Sequence, residues 1–143
     1  MSGKLRAVSG NGKPHQRLEA WSEAMVLVKL IYEATQGFPV EERFGLSQQM
    51  RRAAVSVPSN IAEGAARNGK REFANFIGIA RGSLSELDTQ CLIAVELGYF
   101  AQDHVVFSSL DRVSNCSLVF TGILPQVQHS IENKCGNSPF CLP

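Results

Sequence analysis

The sequence predicts an all-α fold, namely an antiparallel up-down-up-down four-helix bundle. Four segments carry apolar residues at three- and four-residue spacing, short breaks with Gly, Pro or Asn separate them, and no segment alternates as a strand does. Short connections between amphipathic helices favour antiparallel neighbours. A chain of 143 residues is long enough for one domain with a substantial core.

The first helix is expected from Arg17 to Gln36, where Gly37 and Pro39 end it. Two apolar stripes lie side by side on it. We interpret the first stripe as the bundle seam, including its two large aromatic residues; it consists of Leu18, Trp21, Met25, Val28 and Tyr32. The second consists of Ala20, Ala24, Leu27 and Ile31. Either the bundle wraps this helix deeply, or another subunit covers the second face.

The second helix is expected to start after Ser47, a favourable N-cap residue. Its inward stripe consists of Met50, Ala54, Val57, Ile61 and Ala65. Pro58 lies inside this helix and predicts a kink, because proline removes a backbone donor and crowds the preceding turn. The pair Asn68 and Gly69 predicts the turn that follows.

The third helix is expected from about Lys70 to Leu97, a length of roughly 40 Å. Its heptad stripe consists of Phe73, Ile77, Ala80, Leu84, Leu87, Cys91 and Ala94. On another face Gly78, Gly82 and Ser85 form a groove of small side chains. This groove permits close approach of another helix, either within the bundle or from a second subunit.

The fourth helix is expected to start at the N-cap Asp103 and to end or kink at Pro125. Its seam consists of Val106, Leu110, Val113, Ser117, Phe120 and Leu124. The bundle is thus expected over 17–132, with flexible segments at 1–16 and 133–143.

Composition favours a cytoplasmic protein. The first residues lack the apolar region of a secretory signal, and no apolar run is long enough to span a bilayer. Cys91 and Cys116 fit helical apolar patterns and are interpreted as small buried residues. Cys135 and Cys141 could pair in an oxidising compartment, but a reduced state is expected. No metal-ligand spacing and no phosphate-binding loop is present, so no cofactor is predicted.

One polar stripe of the second helix has two interpretations. It consists of Arg52, Ser56, Asn60, Glu63 and Arg67. In a functional site Glu63 would act as acid or base and Asn60 would orient a ligand. In a structural role Glu63 pairs with Arg67, and Asn60 caps carbonyls freed by Pro58. We favour the structural role, because a single carboxylate without a His, Cys or second acid rarely forms a catalytic set. The chain is therefore not expected to be an enzyme.

The charge is unevenly distributed: the whole chain carries +1, but residues 43–81 carry +5 and residues 82–143 carry −4. The candidate nucleic-acid-binding residues in the basic part are Arg51, Arg52, Arg67, Lys70 and Arg71. Arg51 and Arg67 would lie about 24 Å apart along one helix, so a single patch requires that subunits meet. The alternative is surface charge that maintains solubility.

Three segments carry a resemblance to a known family. They read FPVEERFGL at 38–46, RRAAVSVPSNIAEG at 51–64 and REFANFIGIARGSLSELDTQ at 71–90. In this combination they resemble the four-helix-bundle proteins encoded by intervening sequences of bacterial 23S ribosomal RNA genes. Those proteins are related to the accessory variability proteins of diversity-generating retroelements. Within these segments we assign a structural role to six residues: Pro58, Asn60, Glu63, Gly64, Arg81 and Gly82.

The resemblance implies properties that composition alone does not show. Family members assemble into ring-like homopentamers, and the retroelement relatives bind nucleic acid and associate with a reverse transcriptase. The expected function is therefore a non-enzymatic, oligomeric module that binds RNA or DNA, or an adaptor for a nucleic-acid enzyme, away from membranes. The alternative is a protein-binding scaffold without nucleic-acid affinity, which the near-neutral charge favours.

Overall fold

A computed structural model describes residues 12–121 of the chain. Over this range it contains four α-helices, two short 3-10 turns and no strand, which confirms the predicted all-α class. The helices are α1 (Glu19–Gln36), α2 (Leu46–Ala65), α3 (Lys70–Glu96) and α4 (Val105–Thr121), and the 3-10 turns are Pro14–Arg17 and Val40–Phe44. None of the helices in the described range is long and apolar enough to cross a membrane.

The four helices pack in the cyclic order of the chain. α1 lies against α2 and α4, and α3 lies against the same two, whereas the described residues show no contact between diagonal pairs. Long-range contacts show that neighbours run antiparallel. Arg51, early in α2, bonds to Thr35 at the end of α1, and Gly64, late in α2, lies against Phe76 early in α3. The predicted four-helix bundle is thereby confirmed.

The predicted core face of α1 is right only in part: Leu18, Trp21 and Val28 of the expected seam are half-buried against the core, whereas Met25 and Tyr32 are exposed. The fully buried stripe is the second one, Ala20, Ala24, Leu27 and Ile31. On the stripe expected to be the seam, Met25 is 39% exposed and Tyr32 is 42% exposed. Small side chains at the first two positions of the buried stripe allow the neighbouring helices to approach closely. Met25 and Tyr32 of the other stripe consequently lie at the bundle surface.

The expected inward stripe of α2 is buried up to Ile61, whereas Ala65 is half-buried and Gly64 takes the inward place. The helix continues without interruption through Pro58. Asn60 Nδ2 donates to the Ser56 carbonyl at 2.8 Å. Asn60 thus caps a backbone carbonyl, but not the predicted one, because the carbonyl that Pro58 frees is that of Ala54, four residues before the proline. The kink itself stays a prediction.

The start of α2 is capped by a carboxylate and not by Ser47. The helix begins at Leu46, whose N–H donates to Glu42 Oε2 at 2.9 Å, and Ser47 is buried within the first turn. The other oxygen, Glu42 Oε1, accepts a hydrogen bond from the Tyr99 hydroxyl at 3.0 Å. This hydrogen bond is the main cause that raises the pKa of Tyr99. Glu42 therefore fixes the Val40–Phe44 turn to both α2 and the end of α3.

The connection from α3 to α4 positions Tyr99. Gly98 adopts a φ of 75°, and the Tyr99 N–H donates to the Ala94 carbonyl at 2.9 Å, which is the arrangement of a Schellman motif. Asp103 was expected to cap α4, but the acceptor is His104, whose Nδ1 takes the Val106 N–H at 3.3 Å. The imidazole lies one position closer to the helix than the Asp103 carboxylate does, and this places it within reach of the first turn.

The remaining seams follow the predicted spacing. The α3 stripe is buried except for half-buried Phe73, and the α4 seam is buried through Ser117. Cys91 is a core residue as predicted, and its burial raises the pKa of the thiol to about 12. Some predicted features lie outside the described residues: the Phe120 side chain, Leu124, Pro125, Cys135, Cys141, and the end segments beyond 12–121.

Candidate nucleic-acid interface

The predicted basic cluster is divided between the two ends of α2. Arg51 and Arg52 lie near its start, whereas Arg67 lies just beyond its last turn and Lys70 and Arg71 begin α3. Sixteen residues of helix separate Arg51 from Arg67, a rise of about 24 Å. One chain therefore presents two separate groups of cations.

The group after α2 is a solvated surface. The Arg67 Nη2 atom lies 2.7 Å from Glu63 Oε1, so the i,i+4 pair expected from the sequence is present. The Arg67 guanidinium also lies over the Phe76 ring, 5.3 Å from its centroid. Both members of the ion pair are about half exposed, and such pairs contribute only about 0.3–0.5 kcal/mol. Lys70 and Arg71 are exposed to solvent.

The group near the start of α2 lines an open hollow with a volume of about 510 Å³, which we call the cationic groove. Its lining residues are Tyr32, Arg43, Phe44, Gln48, Arg51, Arg52, Val55 and Ser56. They include three guanidinium groups and two aromatic rings, and no carboxylate is among them. The lining is therefore positively charged and partly apolar, a combination that suits an anion with an aromatic part.

One wall of the cationic groove is held in place by α1. Arg51 Nε donates to Thr35 Oγ1 at 2.8 Å, and the same Thr35 hydroxyl donates to the Ile31 carbonyl at 2.7 Å. The Arg51 guanidinium also lies over the Tyr32 ring at 4.9 Å from its centroid. These contacts fix the orientation of Arg51, which consequently serves both the α1–α2 contact and the groove.

The opposite wall is the Val40–Phe44 turn. Phe44 is 79% exposed, and the Arg43 guanidinium lies 5.5 Å from the centroid of its ring. Two hydrogen bonds attach this turn to the rest of the bundle, because the Glu42 carboxylate accepts from the Leu46 N–H of α2 and from the Tyr99 hydroxyl. Arg43 and Phe44 therefore belong to a turn whose backbone is held against the bundle.

Arg52 lies between the cationic groove and a second hollow of about 450 Å³ at the α2–α3 contact. Beneath it, Ser56 Oγ and Ser83 Oγ are 2.9 Å apart and form a hydrogen bond between the two helices. Asn60 Nδ2 donates to Ser56 Oγ at 3.0 Å. Asn60 therefore supports the contact between α2 and α3, a structural role that differs from the one predicted from the sequence.

Among the charged and aromatic residues of the cationic groove, two were not predicted from the sequence and a third was misplaced. Arg43 was counted only in the local charge, Phe44 was not considered, and Tyr32 was assigned to the core. A usable signal was present: an Arg-Phe pair directly before Gly45, in a short segment between two helices. An aromatic residue in such a connection lies on the surface unless another element covers it.

The glycine groove of α3 faces outward. Gly78, Gly82, Arg81 and Ser85 line a hollow of about 370 Å³ together with Ser114 of α4. A Cβ atom at Gly78 or Gly82 would meet nothing within 4 Å. The glycines therefore do not serve a close helix contact within the bundle, which leaves a contact with a second subunit as the open alternative.

The candidate acid or base, Glu63, is not among the residues that line the cationic groove. Glu63 is exposed and paired with Arg67. No group of three or more His, Cys, Asp or Glu side chains in the described range could hold a metal ion. What the cationic groove offers is three guanidinium groups as donors for phosphate oxygens, of which Arg51 is held by Thr35, with two rings beside them.

Comparison with known proteins agrees with the fold. The family model described as 23S rRNA-intervening sequence protein matches residues 16–116, a range that includes α1, α2, α3 and most of α4. A comparison with curated proteins gives no match. The matched range also contains every residue of the cationic groove. The chain therefore belongs to the 23S rRNA-intervening sequence protein family.

Proposed function

We propose that this protein is a non-enzymatic module that binds RNA or DNA through the cationic groove, acting alone or as an adaptor for a nucleic-acid enzyme in the cytoplasm. The observation that supports this most is the presence of three guanidinium groups, and no carboxylate, in one concave lining. Guanidinium groups bind phosphate oxygens through paired, charge-assisted hydrogen bonds. Such contacts supply most of the affinity of proteins for nucleic acid without sequence preference.

The expected binding is weak and depends on salt. The net charge of the chain is only +1, so no long-range field reinforces the groove. Each phosphate contact to a single strand releases counterions and contributes about −0.7 to the slope of log K against log salt. Two or three contacts per chain therefore predict a slope of roughly −1.5 to −2.

Titration of labelled RNA and DNA oligonucleotides, followed by fluorescence anisotropy at several salt concentrations, tests this proposal. Arg52→Gln is expected to weaken binding and to reduce the salt slope by roughly 0.7 to 1, because one phosphate contact is lost. Arg52 is exposed, so the variant should keep its fold. Arg71→Gln is the matched control: it removes the same charge in the first turn of α3, outside the groove, and should leave binding nearly unchanged.

Two results would contradict the proposal. Absence of binding even at low salt would remove nucleic acid as a ligand altogether. Equal losses in Arg52→Gln and Arg71→Gln would show that the chain binds through general charge and not through the cationic groove.

We also propose that the protein assembles with copies of itself as a homopentamer. The resemblance to ring-forming proteins is one support. The structure adds two surfaces suited to protein contact: the exposed stripe of α1 that includes Met25 and Tyr32, and the open hollow at Gly78 and Gly82. Removal of apolar surface from water is the main driving force of such association.

Sedimentation analysis at micromolar concentration tests the assembly. The wild type should sediment as a species whose molecular mass is five times the 15.6 kDa of one chain. Gly82→Leu should fill the hollow and shift the protein to smaller species without loss of helix content by circular dichroism. Gly82→Ala is the milder control, since its Cβ meets nothing within 4 Å. A wild-type protein that stays monomeric at this concentration would refute the assembly.

A protein-binding scaffold is the second candidate function. The outer face of α1 carries a hollow of about 500 Å³ that is more apolar than the cationic groove, and it is lined by Met25, Val26, Val28, Lys29, Leu30, Tyr32 and Glu33. A surface of this kind favours contact with another protein. If the oligonucleotide titration detects no binding, this candidate is the one that remains.

A further inference from the structure

We infer that the cationic groove selects single-stranded nucleic acid, with the Phe44 ring as a stacking platform for one unpaired base and Arg52 on a neighbouring phosphate. This inference rests on the proposed function and adds the form of nucleic acid to it. It is carried by the exposure and the fixed position of Phe44 next to the arginines of the groove.

Phe44 is exposed although its segment is closely attached to the bundle. At the other end of the same segment, Phe38 is buried and packs against Tyr99 with ring centroids 4.9 Å apart. Glu42, between the two phenylalanines, bonds to the Leu46 N–H and the Tyr99 hydroxyl. The segment therefore holds one ring inside and presents the other, 79% exposed, at the groove. A ligand would not have to order the backbone of this segment before it binds, which lowers the entropic cost.

The surroundings of Phe44 favour a nucleobase over a purely apolar group. The Arg43 guanidinium lies 5.5 Å from the ring centroid, and Arg52 lines the same groove. An aromatic face flanked by guanidinium groups suits a flat, polar-edged base that is joined to a phosphate. A guanidinium group lies over each of the two rings, Arg43 over Phe44 and Arg51 over Tyr32. Tyr32 is less suited to this role, because it is 42% exposed, and because a hydrogen bond to Thr35 holds Arg51 in place over its ring.

The same features disfavour a duplex. In a double helix the base faces are stacked on one another, so only the phosphates would reach the groove, and the exposed ring would gain nothing. A single strand offers both groups, and proteins that bind single strands combine a positive groove with aromatic platforms. The volume of about 510 Å³ lies within the range of about 300–1,000 Å³ that is usual for small-ligand sites.

Anisotropy titration with a dT oligonucleotide, a U oligonucleotide of the same length, and a duplex of the same length tests the inference. The wild type should bind both single strands more tightly than the duplex. Phe44→Ala and Phe44→Leu should each weaken single-strand binding by roughly 5- to 150-fold, the loss usual for one stacked base, and leave duplex binding unchanged. Phe44→Leu keeps an apolar side chain without a π-face, and Phe44→Trp should retain the affinity.

A direct signal comes from Phe44→Trp, whose added tryptophan fluorescence should be quenched by the single strands and not by the duplex. Each of two results would overturn the inference while the proposed function stands: equal affinity for single strand and duplex, or full single-strand affinity in Phe44→Leu. Absence of binding by any of the three probes would refute the proposed function and this inference together.

Discussion

Replacement of Gly64 by alanine is expected to lower the free energy of unfolding by about 1–3 kcal/mol. A Cβ atom at this position would lie 2.7 Å from Phe76 Cβ and 3.2 Å from Phe73 Cδ2. Phe76 Cβ is attached directly to the backbone of α3, so it cannot rotate away and the two helices would have to separate. In an ordinary helix interior the same change is stabilising by about 1 kcal/mol. The close contact between α2 and α3 thus reverses the usual sign.

Chemical denaturation followed by circular dichroism measures this effect, with Gly78→Ala as the matched control. A Cβ atom at Gly78 meets nothing within 4 Å, so that variant should be as stable as the wild type or up to about 1 kcal/mol more stable. Should Gly64→Ala unfold at the same denaturant concentration as Gly78→Ala, the close approach of α2 and α3 at Gly64 would be contradicted.

Truncation of Leu27 to alanine should be at least as damaging, with an expected loss of about 2–5 kcal/mol in the free energy of unfolding. Leu27 is 0% exposed and lies in the core, so its removal costs apolar burial and leaves a cavity. Met25, two residues earlier on the same helix, is 39% exposed. Met25→Ala should therefore cost no more than about 1 kcal/mol.

The same denaturation measurement on both variants tests which face of α1 points inward. The sequence-based prediction placed Met25 in the seam, whereas the structure places Leu27 there. A larger loss for Met25→Ala than for Leu27→Ala, at a concentration below assembly, would favour the original prediction over the structure.

Helix number and approximate bounds could be predicted from the sequence, because they depend on local periodicity and on local stop signals. Gly37 follows the last residue of α1, and Asn68 and Gly69 lie in the turn before α3, as the pattern indicates. Local chemistry was insufficient where a distant residue or a competing group intervened. Ser47 is a good N-cap residue by type, but Glu42 reaches the α2 terminus from the preceding turn.

The choice of face on α1 could not be made from periodicity. Two adjacent stripes are both apolar, and a hydrophobic pattern gives a direction only when the opposite face is polar. What decides is the separation of the neighbouring helices, which small residues such as Ala20 and Ala24 permit to be short. That separation is a property of the assembled bundle, and a single helix does not encode it.

The candidate site was predicted only in part. Arg51 and Arg52 were named from the sequence and do line the cationic groove, whereas Arg67 is placed elsewhere. Arg43 and Phe44 were missed because their value depends on the conformation of a short turn. The conformation of this turn cannot be predicted from periodicity, because it depends on hydrogen bonds of Glu42 to groups on other elements.

The hydrogen bond between Tyr99 and Glu42 affects the order in which parts of the protein fold during synthesis. It joins residues 57 positions apart, so the Val40–Phe44 turn leaves the ribosome long before its partner does. Contacts of high sequence separation form only after the intervening chain is available. A nascent chain therefore displays its early arginines before the Val40–Phe44 turn is attached to the bundle. The proposed binding of nucleic acid is accordingly expected of the finished bundle and not of incomplete chains.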